Sequence, residues 1–196
     1  MSVQMIAIAV STFSLAVSGI TIWLTLLRRG TLKMTQPTVV FFGPDGPDGL
    51  QKVFLRTLLY STARRGHIVE EMFVRLRRGE TTQNFSVWCY GDKLLVRGSG
   101  LRVGYEGVAY NHHFLLPHDV TGYEFADGQY TVEVFASLVN VSKPLLLSRL
   151  HLSVSKEFSN ALRTRDCGIY FDWGPDSQQY HPHLDTHSDK KTTIAI

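Results

Sequence analysis

The first 44 residues contain no Asp or Glu, and residues 5–27 contain no charge of either sign. A buried core helix is the alternative reading, but such helices are usually shorter and show a polar face, so a membrane-spanning helix is expected. At ~1.5 Å per residue it is roughly 34 Å long, enough to cross a ~30 Å hydrocarbon core. The flank MSVQ carries no Lys or Arg, and the run leads into LLRRG, which is not a small-residue cleavage site. A cleaved secretory signal needs both features, so a retained anchor is expected instead.

Cysteine is scarce. Cys89 and Cys167 allow one disulfide in an oxidising compartment or two thiols in a reducing one, and their spacing fits no zinc motif. Helical periodicity is missing after residue 36, apart from a possible turn at KEFSNAL. Recognisable catalytic motifs are missing too. RGSGLRVG holds Gly98, Gly100 and Gly104, but strand-like residues follow where a phosphate loop needs a helix, so a tight bend is expected. Ser99 is not in a nucleophile elbow. Asp45 and Asp48 in GPDGPDG begin no calcium ladder, and this stretch reads as turns, as does WGPDS. No catalytic, cofactor-binding or metal residues are assigned, no cofactor is expected, and the balance leans away from an enzyme.

What is present after residue 36 is a series of short β-like runs punctuated by Gly, Asp and Pro. Strands are predicted at 38–42, 53–61, 68–77, 84–90, 94–103, 108–116, 130–139, 145–155 and 168–173. Several alternate with period two: Met72, Val74 and Leu76 share one face, as do Tyr130, Val132, Val134, Ala136 and Leu138, and Leu150, Leu152 and Val154. Eight or nine such strands indicate an all-β antiparallel β-sandwich after one transmembrane helix. FADGQYTVEVFA resembles the tyrosine corner of immunoglobulin-like sandwiches, which favours that topology over a jelly roll. The expected organisation is a flank at 1–4, a transmembrane helix at 5–27, a basic juxtamembrane linker at 28–36, the sandwich at 37–175 and a mobile His-rich tail at 176–196.

Arg28, Arg29 and Lys33 follow the apolar run and no Lys or Arg precedes it. That bias predicts a single-pass protein of the inner (plasma) membrane with its domain in the cytoplasm. The reverse, periplasmic orientation is the alternative. Ala7, Ser11, Ser14, Ser18, Thr21 and Thr25 fall on one helix face, which would allow helix–helix pairing and a homo-oligomer, or else simply bond their own backbone. Asn84 and Asn140 begin N-x-S tripeptides inside strand-like stretches and are not read as glycan sites.

His112 and His113 are adjacent in a predicted strand and therefore point to opposite faces. His181, His183 and His187 with Asp185 and Asp189 offer metal ligands close together, and a metal-dependent sensor or enzyme built on them is the second functional reading. Between residues 50 and 104 there are ten basic residues against four acids, and between 105 and 189 five against eleven. A basic face beside a bilayer would attract anionic headgroups. Nucleic acid is not an expected partner, since no aromatic–basic recognition motif occurs.

The junction WLTL-x-RRG…MTQPT-V-FFGPDG resembles that of uncharacterised bacterial single-pass membrane proteins, in which an anchor joins a β-rich domain. The resemblance implies a bacterial membrane protein and brings no activity with it. The function expected from these features is a non-catalytic binding or scaffold module, presenting a sandwich to a protein partner at the membrane surface.

Overall fold

The computed structural model describes residues 2–28, 30–45, 50–92, 95–98, 100–117, 119–120, 122–163 and 167–186. Helix α1 (Val3–Ile22) continues into a π-turn at Trp23–Leu27, closed by the Arg28 N–H donating to the Trp23 carbonyl at 2.8 Å. The segment Val3–Thr25 is long and apolar enough to cross a membrane, and none of it is buried against the rest of the chain. Thr21 and Thr25 donate their hydroxyls to the carbonyls of Val17 and Thr21 within the helix.

Among the described residues, thirteen strands follow in two antiparallel sheets. Sheet A contains β1 (Leu32–Met34), β2 (Val39–Pro44), β3 (Gln51–Ser61), β6 (Val87–Tyr90), β7 (Val96–Arg97), β9 (Val108–Leu115), β12 (Cys167–Gly174) and β13 (Gln179–Thr186). Its order is β13-β12-β2-β3-β9-β6-β7, with β1 also paired to β3. Sheet B contains β4 (His67–Arg78), β5 (Thr81–Phe85), β8 (Leu101–Val103), β10 (Gly128–Leu138) and β11 (Leu145–Val154), in the order β11-β10-β4-β5 with β8 on β4. Eight and five strands differ from the four-and-three division of an immunoglobulin constant domain, and an immunoglobulin-like type is not assigned.

Alternation decides which side chains fill the space between the sheets. Val53, Leu55 and Leu59 from β3 meet Met72, Val74 and Leu76 from β4, Val132, Val134 and Ala136 from β10, and Leu150 and Leu152 from β11. Phe42 is central: its ring stacks on Phe125 at 4.8 Å and meets Phe171 and Tyr130 edge-on at 5.2 and 5.6 Å. Tyr130 closes a tyrosine corner, its hydroxyl donating to the Ala126 carbonyl at 2.7 Å. Helix α2 (Lys156–Leu162) coincides with KEFSNAL. It is capped by Ser155, whose hydroxyl accepts from the Phe158 N–H at 3.2 Å.

Two expected boundaries move. The linker at 28–36 is largely absent as a linker, because Gly30 already packs on Ala63 and residues 32–34 are β1. Leu32 is 2% exposed, so its burial recruits this stretch to the sheet. The tail expected from 176 is a strand over residues 179–186, since Tyr180 and Leu184 pack against the core. The runs 84–90 and 94–103 each divide where the chain passes from one sheet to the other, between β5 and β6 and between β7 and β8. Gly98 and Gly100 lie at the second crossing. A Cβ on Gly98 would meet Trp88 at 2.1 Å, and Gly100 has φ +114°. Asn140 lies in the β10–β11 turn with φ +65° rather than in a strand.

Candidate functional site

Cross-strand pairing places one residue from each of seven strands in a continuous rung on the outer face of sheet A. The pairs are His183↔Tyr170, Tyr170↔Phe41, Phe41↔Phe54, Phe54↔His113, His113↔Cys89 and Cys89↔Arg97. Neighbours on such a rung lie about 5 Å apart, close enough for ring contact. His183 stacks on Tyr170 at 5.6 Å, Tyr170 tilts against Phe41 at 4.8 Å, and Phe54 tilts against His113 at 4.8 Å. Phe41 is 4% exposed and Phe54, His113 and Tyr170 are half-buried, so the row is an apolar stripe on a kind of sheet face that is ordinarily polar.

Phe41 lies flat along the sheet because its neighbours on the next rung are glycines. A Cβ on Gly168 would meet its ring at 2.1 Å, and one on Gly43 at 2.6 Å. Beside it the Lys52 ammonium sits 5.6 Å from the Phe41 centroid and 2.7 Å from Asp45 Oδ1. Arg56 donates to Asn111 Oδ1 at 3.1 Å and lies 3.5 Å from Asp92 Oδ1. An open cleft of about 520 Å³ lies here, with Phe41, Phe54, His113 and Tyr170 as its floor and Pro44, Asp45, Lys52, Asp92, Leu95 and Asn111 at its rim.

Protonation states argue against a thiolate–imidazolium pair on this rung. Burial pushes the Cys89 thiol up, although Arg97 pulls the other way. Burial, with the Lys52 charge adding to it, lowers His113 to about 4. A thiolate–imidazolium pair needs both shifts reversed. The rung holds a neutral thiol beside a neutral imidazole. His113 Nδ1 is buried and has no hydrogen-bond partner among the described residues.

His112 points the opposite way, into the core, as adjacent strand positions require. The C-terminal cluster is only partly in view, because His187 and Asp189 lie outside the described residues. His183 Nδ1 sits 3.3 Å from Asp172 Oδ2, and His181 Nε2 sits 2.7 Å from Ser177 Oγ. Among the described residues no three His, Cys, Asp or Glu side chains converge on a metal position. Cys89 and Cys167 are both free. Four strand spacings separate them, roughly 19 Å, well beyond disulfide reach.

The basic residues of 50–104 do not form one face. Lys52, Arg56 and Arg97 lie on the outer face of sheet A. Arg75 and Arg77 lie on that of sheet B, and Arg64, Arg65 and Arg102 at the end where α1 enters. Sequence reasoning did not single out Phe41, Phe54 or Tyr170. The available signal was an aromatic residue at the polar-facing phase of three successive neighbours in the sheet, which needs the strand order to be recognised.

No family model matches the chain, and no curated protein matches it. Among solved structures, the CooA pilin subunit from enterotoxigenic Escherichia coli is similar at 11% identity with a TM-score of 0.33, over 64% of this chain and 99% of that chain. A superposition that loose carries no argument about role.

Proposed function

We propose that the chain is a non-catalytic binding module of the inner membrane, held by α1, whose outer face of sheet A receives a protein partner. The observation that carries this reading is the aromatic-floored cleft. Aromatic rings ringed by Lys52, Asp45, Asn111 and Asp92 match the apolar-centre, polar-rim anatomy of protein interfaces. Arg28, Arg29 and Lys33 after the apolar helix support a cytoplasmic domain, and two thiols too far apart to pair suit a reducing compartment.

The test places a photo-crosslinking amino acid at Leu95 on the rim, in the full chain in its native membrane. The expected result is one discrete crosslinked species that disappears with Phe54→Ser or Tyr170→Ala, while both variants still unfold cooperatively. Crosslinks that persist in both variants would remove the cleft from the reading. Orientation is checked separately with a membrane-impermeant thiol reagent on a cysteine introduced at Glu157: labelling in intact cells would place the domain outside.

A further inference from the structure

Seven large apolar side chains of the sandwich are exposed among the described residues, and five of them (Ile68, Tyr105, Val139, Val141 and Leu146) lie toward one end. It is the end where α1 enters. Gly30 packs on Ala63, and Thr31 and Thr62 exchange hydrogen bonds of 2.8 and 3.0 Å, so the chain is fixed to the β3–β4 turn three residues after Leu27. Three residues reach at most about 11 Å. The β8–β9 turn joins this end through the Ser61 N–H donating to the Gly104 carbonyl, and the β10–β11 hairpin through the Val139 N–H donating to the Ile68 carbonyl.

Cations are interleaved with these apolar groups. Lys33, Arg64, Arg65, Arg102 and Lys143 are all exposed, against Glu70, Glu71 and Glu106. None of the five cations meets a carboxylate among the described residues, whereas Lys52, Arg56, Arg77, Arg149 and Arg163 each do. The Arg64 guanidinium instead sits 5.8 Å from the Tyr105 ring centroid. Unpaired cations beside exposed aliphatic side chains and a tyrosine are the composition of a membrane–water interface.

We propose that this end of the sandwich is a lipid-contacting surface. Anionic phospholipid headgroups occupy the spaces between Arg64, Arg65, Arg102 and Lys143, while Val139, Val141 and Tyr105 enter the headgroup–acyl boundary. The inference rests on α1 spanning a bilayer and adds a second, charge-dependent attachment that holds the domain down rather than leaving it to pivot.

The full chain with Cys89→Ser is reconstituted in nanodiscs of phosphatidylcholine alone or of equal parts phosphatidylcholine and phosphatidylglycerol. It carries a spin label on Val141→Cys or, as a control, on Ala16→Cys within α1. With phosphatidylglycerol, the label at 141 is expected to be accessible to oxygen and shielded from a water-soluble nickel chelate. Arg64→Gln with Arg65→Gln is expected to shift the docked-to-undocked ratio by roughly thirtyfold, taking about 1 kcal/mol for each cation near the surface. A nickel-accessible label at 141 while the label at 16 stays deep would overturn the proposal and leave the spanning reading intact. A nickel-accessible label at 16 would overturn the spanning reading itself. Equal immersion in both lipids would exclude the anionic headgroups, and dipolar broadening between labels would identify a second copy as the occupant instead.

Discussion

The Trp88 indole N–H donates to Nδ1 of His112 across 3.2 Å in the core, and the other ring nitrogen has no hydrogen-bond partner among the described residues. A proton on Nδ1 would break that bond and bury a charge. Burial, followed by the charge of His113, therefore lowers His112 from 6.5 to about 4. The unfolded chain takes up a proton near 6.5 that the folded chain refuses until about 4. Stability is thus full above pH 6.5 and falls as the pH drops toward 4. About 2 kcal/mol is lost by pH 5 from His112 alone, and His113 adds in the same direction. Urea midpoints at pH 7 and 5 should show this loss, and His112→Gln, which keeps an acceptor for Trp88, should reduce it.

Tyr130→Phe should leave the fold unchanged and destabilise it by roughly 1–3 kcal/mol. The ring stays packed on Phe42, while the Ala126 carbonyl loses its donor at a part-buried site. Chemical denaturation measures this, and an unchanged midpoint would mean that the corner does not hold the preceding loop.

Glu133 is buried on the outer face of sheet B. Its Oε1 accepts from Arg149 Nη2 at 2.8 Å and Nε at 3.1 Å, while Arg77 Nε lies 3.3 Å from Oε2 as a charge contact without hydrogen-bond geometry. Both arginines are about half exposed, whereas the carboxylate between them is 4% exposed. Replacing both arginines by Ala should therefore cost about 3–5 kcal/mol. Glu133→Gln, which leaves an acceptor for Arg149, should cost roughly 1 kcal/mol. The asymmetry between the two is the measurement.

Gly168→Ala should act on the cleft from beneath. The new methyl meets the Phe41 ring, which must rise off the sheet, at about 1–3 kcal/mol. Loss of the Leu95 crosslink with cooperative unfolding retained is the expected outcome.

Thiol titration under native conditions should reach Cys89, which is half-buried, before Cys167, which is 3% exposed. Cys167 should react only on unfolding, and no intramolecular disulfide should appear under oxidising conditions.

Strand phase was the part of this fold most open to reading in advance. Met72, Val74 and Leu76 point inward because alternation allows nothing else, and Tyr130 follows an Asp-Gly turn that marks its corner. The edges were hidden. β1 is three residues long, and β13 reads Tyr-His-Pro-His, with a proline and few β-branched residues, so neither carries a propensity signal; pairing with β3 and β12 creates them. The cleft was illegible for a related reason. Phe41 and Phe54 face each other across one pair of consecutive strands, but Tyr170 is distant in the chain and joins them only when β12 lies beside β2.

The length of β4 sets a working height for the molecule. Its twelve residues extend about 40 Å at ~3.3 Å per residue. If the α1 end of the sandwich is pinned at a bilayer with β4 along its normal, the other end, including α2 and Asp45, would project far past the ~8 Å over which headgroup charge is felt in physiological salt. Phe54, on the floor of the cleft, is seven residues along β3 from Ser61, and on that footing would stand about 23 Å out. If a partner docks there, it would meet Lys52 and Asp45 in a field set by the protein alone, and only one tall enough to reach that level could engage the site while itself seated on the same membrane.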